Sequence, residues 1–441
     1  MSRRPIKAAA AALVFLTIFS ATAFARFVFQ IEGSREGAEP TAIIPFQWKG
    51  PGSQGPVSIG SIIGSNLESS GRFAPIRASS LPAQPSQPSE IRWQDWQALG
   101  INYIVIGHLA QLGPSGPNAK YEVEFQLFNV VSRQRLAGEK DQVARGGLRK
   151  AAHQISDIIY KALTGERGAF DTQIAYVTET SDIGGTRLYA MNIADSDGFN
   201  DFSVLQSQQP IMSPAWSNDA RRLAYVSFEG NRPGIYIQDL NQGTRKRVTA
   251  FPGINGAPAW SPDDSRLAMT LSKDGNPEIY VMHLGTGILR RVTNSAGIDT
   301  EPAWAPDGRS LVFTSNRGGS PQIYQIPVNG GRATRVSRYG KSNQNAVFTP
   351  DGKRLVIVHS AEGAVYRIAL LDLDRGDVTV LTESGLDESP SVSPNGQMIM
   401  YATNKGGRAT LAAVALDGGA PQTISVDRGK VRNPAWSPFR N

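Results

Sequence analysis

The chain has 441 residues, 40% of them hydrophobic and 19% charged, with 45 glycines, 28 prolines and no cysteine. That composition suits a turn-dense globular β protein and excludes a disordered chain, a membrane-embedded one, disulfide scaffolding and thiol chemistry. The formal charge of +7 is modest, and no basic block interleaved with aromatics calls for nucleic acid.

In chain order, Arg3, Arg4 and Lys7 form a basic start, Ala8 to Phe19 an apolar stretch, and Ala23-Phe24-Ala25 a small-residue cleavage site. This is the layout of a secretory signal. The stretch falls short of the ~20 apolar residues that a membrane-spanning helix needs. Residues 1–25 are therefore expected to be removed after Ala25 and the remainder to work outside the cytoplasm. Lys7 interrupts a twin-arginine pattern, which favours the general secretory route.

Residues 26–165 have their own rhythm. Thr41-Ala42-Ile43-Ile44-Pro45-Phe46 and Tyr103-Ile104-Val105-Ile106-Gly107 are short apolar runs ended by Pro or Gly, as buried strands are. Ile59, Ile62, Ile63 and Leu67 recur at helical spacing ahead of Gly71. Leu148, Ala152, Ile155, Ile159 and Leu163 do the same ahead of Gly165, so each glycine is placed to cap a helix. From Tyr121 to Val131, Val123, Phe125 and Leu127 alternate with Glu122, Glu124 and Gln126, the pattern of a half-exposed strand. Pro82, Pro85 and Pro88 make Ser79 to Glu90 a loop. The sum is a small α/β domain, joined through residues 165–172 to the C-terminal part of the chain.

From there the chain repeats. Trp216, Trp260, Trp304, Phe348, Val392 and Trp436 stand 44 residues apart without an insertion, most of them inside near-copies of Pro-Ala-Trp-Ser-Pro-Asp. A period of ~40–50 residues built from short strands and turns marks propeller blades. The unit from Asn255 carries strands at Ala257–Ser261, Arg266–Ser272, Glu278–His283 and Leu289–Thr293, parted by Pro262-Asp263, Gly275-Asn276-Pro277 and Gly285-Thr286-Gly287. The six marks delimit five complete units. A sixth blade, with strands at Ile174–Val177, Leu188–Ile193 and Phe202–Leu205, lacks a Pro-Ala-Trp strand, while the last such strand, at 434–436, has no blade after it. Pairing the two closes a six-bladed ring over residues 172–441. The expected fold is thus α+β: a small N-terminal α/β domain, then an all-β propeller closed by the C-terminal strand. The repeated Trp is expected to wedge between blades.

Catalytic chemistry finds no foothold. No Gly-x-Ser-x-Gly elbow occurs, and no hydrolase domain is expected beyond the last blade strand. The histidines, His108, His153, His283 and His359, show no metal-ligand spacing. Asp219, Asp263, Asp307 and Asp351, with Asn395 in the fifth place, read as turn formers rather than as an ion ladder. Gly318-Gly319 and Gly406-Gly407 lack the downstream helix that a phosphate loop needs. No catalytic residue, metal or cofactor is expected.

What escapes the repeat is the segment leading into each innermost strand, on one rim of the central channel. These segments are Ile211-Met212-Ser213, Asn255-Gly256-Ala257, Asp299-Thr300-Glu301, Asn343-Gln344-Asn345, Asp387-Glu388-Ser389 and Val431-Arg432-Asn433. They are polar, small and different from blade to blade. Loops also vary for want of constraint, but a ring of acceptors and charges at a channel mouth suits a protein loop or a small ligand.

The text around these positions is specific. Ile43-Ile44-Pro45-Phe46-Gln47-Trp48 ahead of Gly50-Pro51-Gly52, Leu163-Thr164-Gly165, Gly168-Ala169-Phe170, Ile174-Ala175-Tyr176-Val177, Met212 to Ser217, Asn255 to Ala259 and Thr300-Glu301-Pro302 closely resemble the TolB family. Its members are periplasmic components of the Gram-negative Tol–Pal envelope system, and the likeness covers essentially the whole chain after residue 25. The resemblance implies a non-enzymatic, monomeric scaffold. It would dock the peptidoglycan-associated lipoprotein Pal over the channel mouth and offer its N-terminal segment to the inner-membrane protein TolA. That role supports outer-membrane invagination at division and envelope integrity, and colicins exploit the same surface in some bacteria.

Carried over by position, Ala257, Thr300 and Glu301 fall in the family's Pal-contact loops. With the other rim positions, Met212, Asn255, Gly256, Asn343, Gln344, Asp387, Glu388 and Asn433, they make up the expected docking set. Ile254 departs from the polar residue, often His, that the family carries three before Ala257. Arg26 to Gly37 corresponds to the TolA-binding segment, with Arg26, Phe27, Val28, Phe29, Gln30, Ile31, Glu32 and Gly33 as expected contacts. The alternation of Phe27, Phe29 and Ile31 with Val28 and Gln30 also fits a first edge strand. The competing reading, from another class, is a secreted propeller enzyme or carbohydrate-binding protein that uses the central channel.

Overall fold

The structure, a computed structural model, describes residues 27–30 and 37–440 apart from 117, 183, 364, 419–420 and 427–428. The expected signal at 1–25, Arg26, and Ile31, Glu32 and Gly33 lie outside the described residues.

The N-terminal domain is built on the strand Tyr103–Leu112, which is apolar over much of its length and central in a mixed sheet. Glu39–Ile43 and Gln47–Lys49 pair with it in parallel and Lys120–Asn129 antiparallel, with Phe73–Pro75 and Arg135–Ala144 at the edges. Helices α1 (Ile59–Ser69) and α3 (Leu148–Thr164) cover one face, where Ile63, Leu67, Ala152 and Ile159 meet Val105, Val123, Phe125 and Leu127. Gly165 ends α3 in the left-handed region, φ 81°, its amide bonded to Lys161 O at 2.8 Å, as a glycine cap does. The segment Ser79–Glu90 stays a loop with two single 3-10 turns at its ends. Helix α2 (Trp93–Ala98) is an element that the sequence does not announce. It is too short to show a period, and it is held by the fully buried Trp96 against Ile44, Ile104 and Ile106. The strand Arg135–Ala144 is another, a mostly exposed edge whose side chains carry no alternation.

The propeller has six sheets, and the ring closes as expected. Lys430–Trp436 pairs antiparallel with Gln173–Ser181, so blade 1 takes its innermost strand from the chain's end and its other three from residues 173–207. Blades 2 to 6 begin at Ile211, Asn255, Asp299, Ser342 and Glu388. Three of the repeated indoles rivet their blade to the one before, while Trp436 Nε1 donates instead to Thr172 Oγ1 at 2.9 Å. Trp216 Nε1 donates to Ala435 O at 2.9 Å, Trp260 to Ala215 O at 3.0 Å and Trp304 to Ala259 O at 3.0 Å. Phe348 and Val392 keep the place without that bond. The turn aspartates act as turn formers: Asp219, Asp263, Asp307 and Asp351 accept the amides of Arg221, Ser265, Arg309 and Lys353, and Asn395 that of Gln397.

Helices α1 and α3 sit on blades 6 and 1. Gln422 Nε2 donates to Ser69 O at 2.8 Å and Asn395 Nδ2 to Arg167 O at 3.1 Å, while Arg149 pairs with Asp197 and Arg440 with Asp171. The described strand of the N-terminal segment, Phe27–Gln30, adds a fifth strand to blade 6, antiparallel to Gln422–Val426. The edge-strand reading therefore holds for these four residues, and their backbone completes a sheet edge that would otherwise lie open.

Candidate docking surface at the channel mouth

All six innermost strands share one irregularity. Ser213, Ala257, Glu301, Asn345, Ser389 and Asn433 have φ of 53°, 46°, 55°, 50°, 54° and 48°. Each begins a bulge in which two residues face one on the next strand: Ala257-Pro258 opposes Met269, Glu301-Pro302 opposes Phe313 and Ser389-Pro390 opposes Tyr401. A proline has no amide to leave unpaired, so it fits the bulge in five of the six blades, with Ala346 in the other. The left-handed residue turns the chain from the lead-in segment into the channel wall. For non-glycine residues this costs ~1–2 kcal/mol each. It is repeated because the ring needs the same turn six times.

The bulges ring a channel of about 780 Å³ whose wall is the repeated Pro-Ala-Trp text. Beside it, on the rim of blades 4 to 6 and 1, lies a recess of about 490 Å³ lined by Glu301, Gln344, Tyr366, Leu386, Glu388 and Arg432. Glu301 belongs to both. Its Oε2 accepts from Thr314 Oγ1 at 2.8 Å and from Asn345 N at 3.0 Å, and burial pushes its carboxyl above the ordinary glutamate range. By contrast the turn residue Asp263 is held down at about 2, chiefly by the Ser261 hydroxyl.

Of the expected docking set, Met212 and Glu388 are exposed, and Gly256, Ala257, Thr300, Glu301, Gln344 and Asn433 are partly so. Three others are not available. Asn255, Asn343 and Asp387 are 1%, 0% and 0% exposed. Asn255 bonds Phe251 N and O; Asn343 bonds Gln322, Tyr339 O and His359; Asp387 accepts the hydroxyls of Thr382, Ser384 and Thr403. Their side chains are thus spent within the propeller itself. Together with Asp299, which holds Ser315 and Arg317, they stand 44 residues apart and each ties one lead-in segment to its own blade. The two aspartates meet donors alone, whereas each asparagine also donates, Asn255 to Phe251 O and Asn343 to Gln322 Oε1 and Tyr339 O.

The structure also brings out residues that polarity had hidden. Ile254, Ile298 and Leu386 share one phase of the repeat and are 47%, 48% and 57% exposed, and Met212, in the inner strand of blade 2, and Tyr339, ahead of that of blade 5, are exposed too. Large apolar side chains gathered around a polar mouth are the composition of a protein interface core rather than of a sugar site. The detectable signal was an apolar residue immediately before three of the four buried polar ones, Asn255, Asp299 and Asp387, with Ser342 in that place before Asn343.

Two histidines do gather acids in space. His108 Nε2 lies 3.5 Å from Glu122 and 3.8 Å from Glu124, but Lys140 Nζ is already 2.8 Å from Glu122. His153 is fully buried beside Asp195 and Asp197, and burial lowers its pKa. The first fits an ion-paired sheet face and the second an interdomain contact that α3 makes on blade 1. Among the described residues, no helix is long and apolar enough to cross a membrane.

Comparison with known proteins agrees with this architecture. Family profiles described as the TolB amino-terminal domain and the TolB β-propeller domain match residues 27–136 and 160–440. The Tol–Pal system protein TolB of Thioalkalivibrio sulfidiphilus is 58% identical over 92% of each chain, and that of Nitrosococcus oceani is 56% identical over 97% of each. The crystal structure of TolB from Acinetobacter baumannii superposes with a TM-score of 0.86 at 42% identity, covering 94% of this chain and all of that one. On the strength of both domains and of its full-length relatives, the chain belongs to the TolB family of non-enzymatic Tol–Pal envelope proteins.

Proposed function

We propose that the protein is a periplasmic scaffold, exported with cleavage after Ala25, that docks the lipoprotein Pal on the channel mouth and hands its N-terminal segment to TolA. Through these two contacts it would support outer-membrane invagination during division and envelope integrity. The observation that carries the reading is the exposure of Ile254, Ile298 and Leu386 on the lead-in segments of blades 3, 4 and 6, next to a mouth whose bulged residues include Ala257 and Glu301. Such a surface pairs apolar anchors with oriented polar groups, as interface hot spots do. The N-terminal segment is supported as the second site because Phe27–Gln30 is held by edge pairing alone among the described contacts of its backbone, and the same edge can pair with another chain.

Two purified-component measurements test this. A bulky or charged change at Ala257, Thr300 or Glu301 abolishes capture of Pal; full capture by all three variants refutes the rim assignment. Deleting residues 26–37 removes TolA binding and spares Pal. Loss of both would instead report general misfolding.

A further inference from the structure

Propeller blades expose their outermost strands at the perimeter, and here the perimeter is divided by charge. The outer stretches of blades 2, 3 and 4, residues 241–251, 285–297 and 329–340, contain cations and no acid. The corresponding stretches of blades 5, 6 and 1 carry Asp374, Asp377 and Glu383, then Asp417, then Asp197 and Asp201. The cations recur in register: Arg247 opposes Tyr236, Arg291 opposes Tyr280 and Arg335 opposes Tyr324, whereas the next two repeat positions are Thr379 and Thr423. Three runs 44 residues apart thus become one basic band on adjacent blades.

Part of the band is committed internally. Arg245 pairs with Glu229 at 2.7 Å and Arg291 with Glu278 at 2.7 Å, and Arg290 reaches Val328 O. Lys246, Arg247, Arg332 and Arg338 are exposed and form no ion pair with a described acid. Charged edges do guard sheets against aggregation, but either sign serves that purpose, and blade 6 is guarded by the added strand. One sign on three consecutive blades is a field, not a guard. At the centre of the band, the hairpin of blade 3 projects Ile288, which is 67% exposed, two residues before Arg290. A bulky apolar tip set among cations is the combination that seats a protein on a charged lipid interface.

We propose that the outer edges of blades 2 to 4 form a docking surface for a bilayer bearing anionic phospholipid headgroups. The band lies on the perimeter, away from the channel mouth, so a membrane-seated propeller keeps its mouth open to a protein partner.

Purified protein is pelleted with phosphatidylcholine vesicles with and without phosphatidylglycerol. Binding is expected only to the anionic vesicles and is lost at high salt; equal binding to both, or none to either, overturns the proposal. The triple variant Lys246→Glu, Arg247→Glu and Arg335→Glu is expected to bind more than about tenfold more weakly, and Ile288→Ser to bind more weakly at unchanged charge. The reversal Lys49→Glu, Lys120→Glu and Lys161→Glu on the N-terminal domain is the charge-matched control. An equal loss in that control would show net charge at work and overturn the site. Pelleting with purified peptidoglycan sacculi in preference to anionic vesicles would overturn it too. The salt series on the unaltered protein needs no variant to fold.

Discussion

The wall of the channel and its mouth are made by the same strands, yet they follow different rules. The wall repeats Pro-Ala-Trp in four blades and varies it in blades 5 and 6, at Phe348 and Val392, but all six keep the same turn because every blade must enter the ring in the same way. The mouth changes at each blade, but the change has two origins. Asn255, Asp299, Asn343 and Asp387 vary while doing one architectural job, whereas Ile254, Ile298 and Leu386 stay apolar where nothing in the fold requires it. Departure from a repeat is therefore not itself a mark of function. Departure combined with exposure is.

Several perturbations would break or sharpen this contrast. Removing residues 431–441 takes away the strand that closes blade 1 and opens the ring. The truncated chain is expected to lose its sharp cooperative melting transition by calorimetry, and an unchanged transition would refute closure as a stabilising device. Within the wall, Trp260→Ala empties an inter-blade wedge and should cost about 3–5 kcal/mol in denaturant unfolding. Trp260→Phe keeps most of the volume and loses the bond to Ala215 O, for about 0.5–1.5 kcal/mol. At the mouth, Asp387→Ala strands the hydroxyls of Thr382, Ser384 and Thr403 and should cost about 1–3 kcal/mol. Its neighbour Glu388→Lys should stay within about 0.5 kcal/mol in stability while weakening Pal binding.

How much of this the sequence disclosed depends on the physical signal each feature leaves. The Trp positions and the half-units at 174–205 and 434–436 are spaced by covalent count, so blade number and closure could be read directly. The N-terminal helices were legible because Ile59, Ile63 and Leu67, or Ala152, Ile155 and Ile159, repeat at 3.6 residues. A bulge leaves no such mark: Pro-Ala-Trp reads as a plain strand, and only the folded backbone reveals the positive φ at the residue before it. Burial of Asn255 and Asp387 was hidden because polarity in a loop suggests solvent, while their donors come from segments several residues away. His153 met Asp195 and Asp197 only through the packing of α3 on blade 1. The basic band was invisible for the same reason, its members being dispersed along the chain.

The smallest expected effect is titration, and it separates turn from mouth by sign. The folded-state pKa of Asp263 is depressed to about 2, so its stabilisation is complete above the unfolded value and fades as pH falls toward 2. Asp263→Asn should thus be less stable than the parent at neutral pH, with the deficit closing in acid. For Glu301 burial raises the folded pKa, so the parent gains stability as pH drops through that raised value. Glu301→Gln should be relatively most stable at neutral pH, and its advantage should shrink in acid. Melting temperatures across that pH range check both signs, and parallel profiles would contradict the assigned environments.

The most direct test of the mouth as a docking surface is the calorimetric affinity for Pal of the parent and of the double variant Ile254→Asp, Leu386→Asp. Both side chains project into solvent, so the variant should melt as the parent does, and its affinity should fall by at least about tenfold, the loss of more than ~1 kcal/mol typical of interface anchors. An unaltered dissociation constant with unaltered melting would contradict the account.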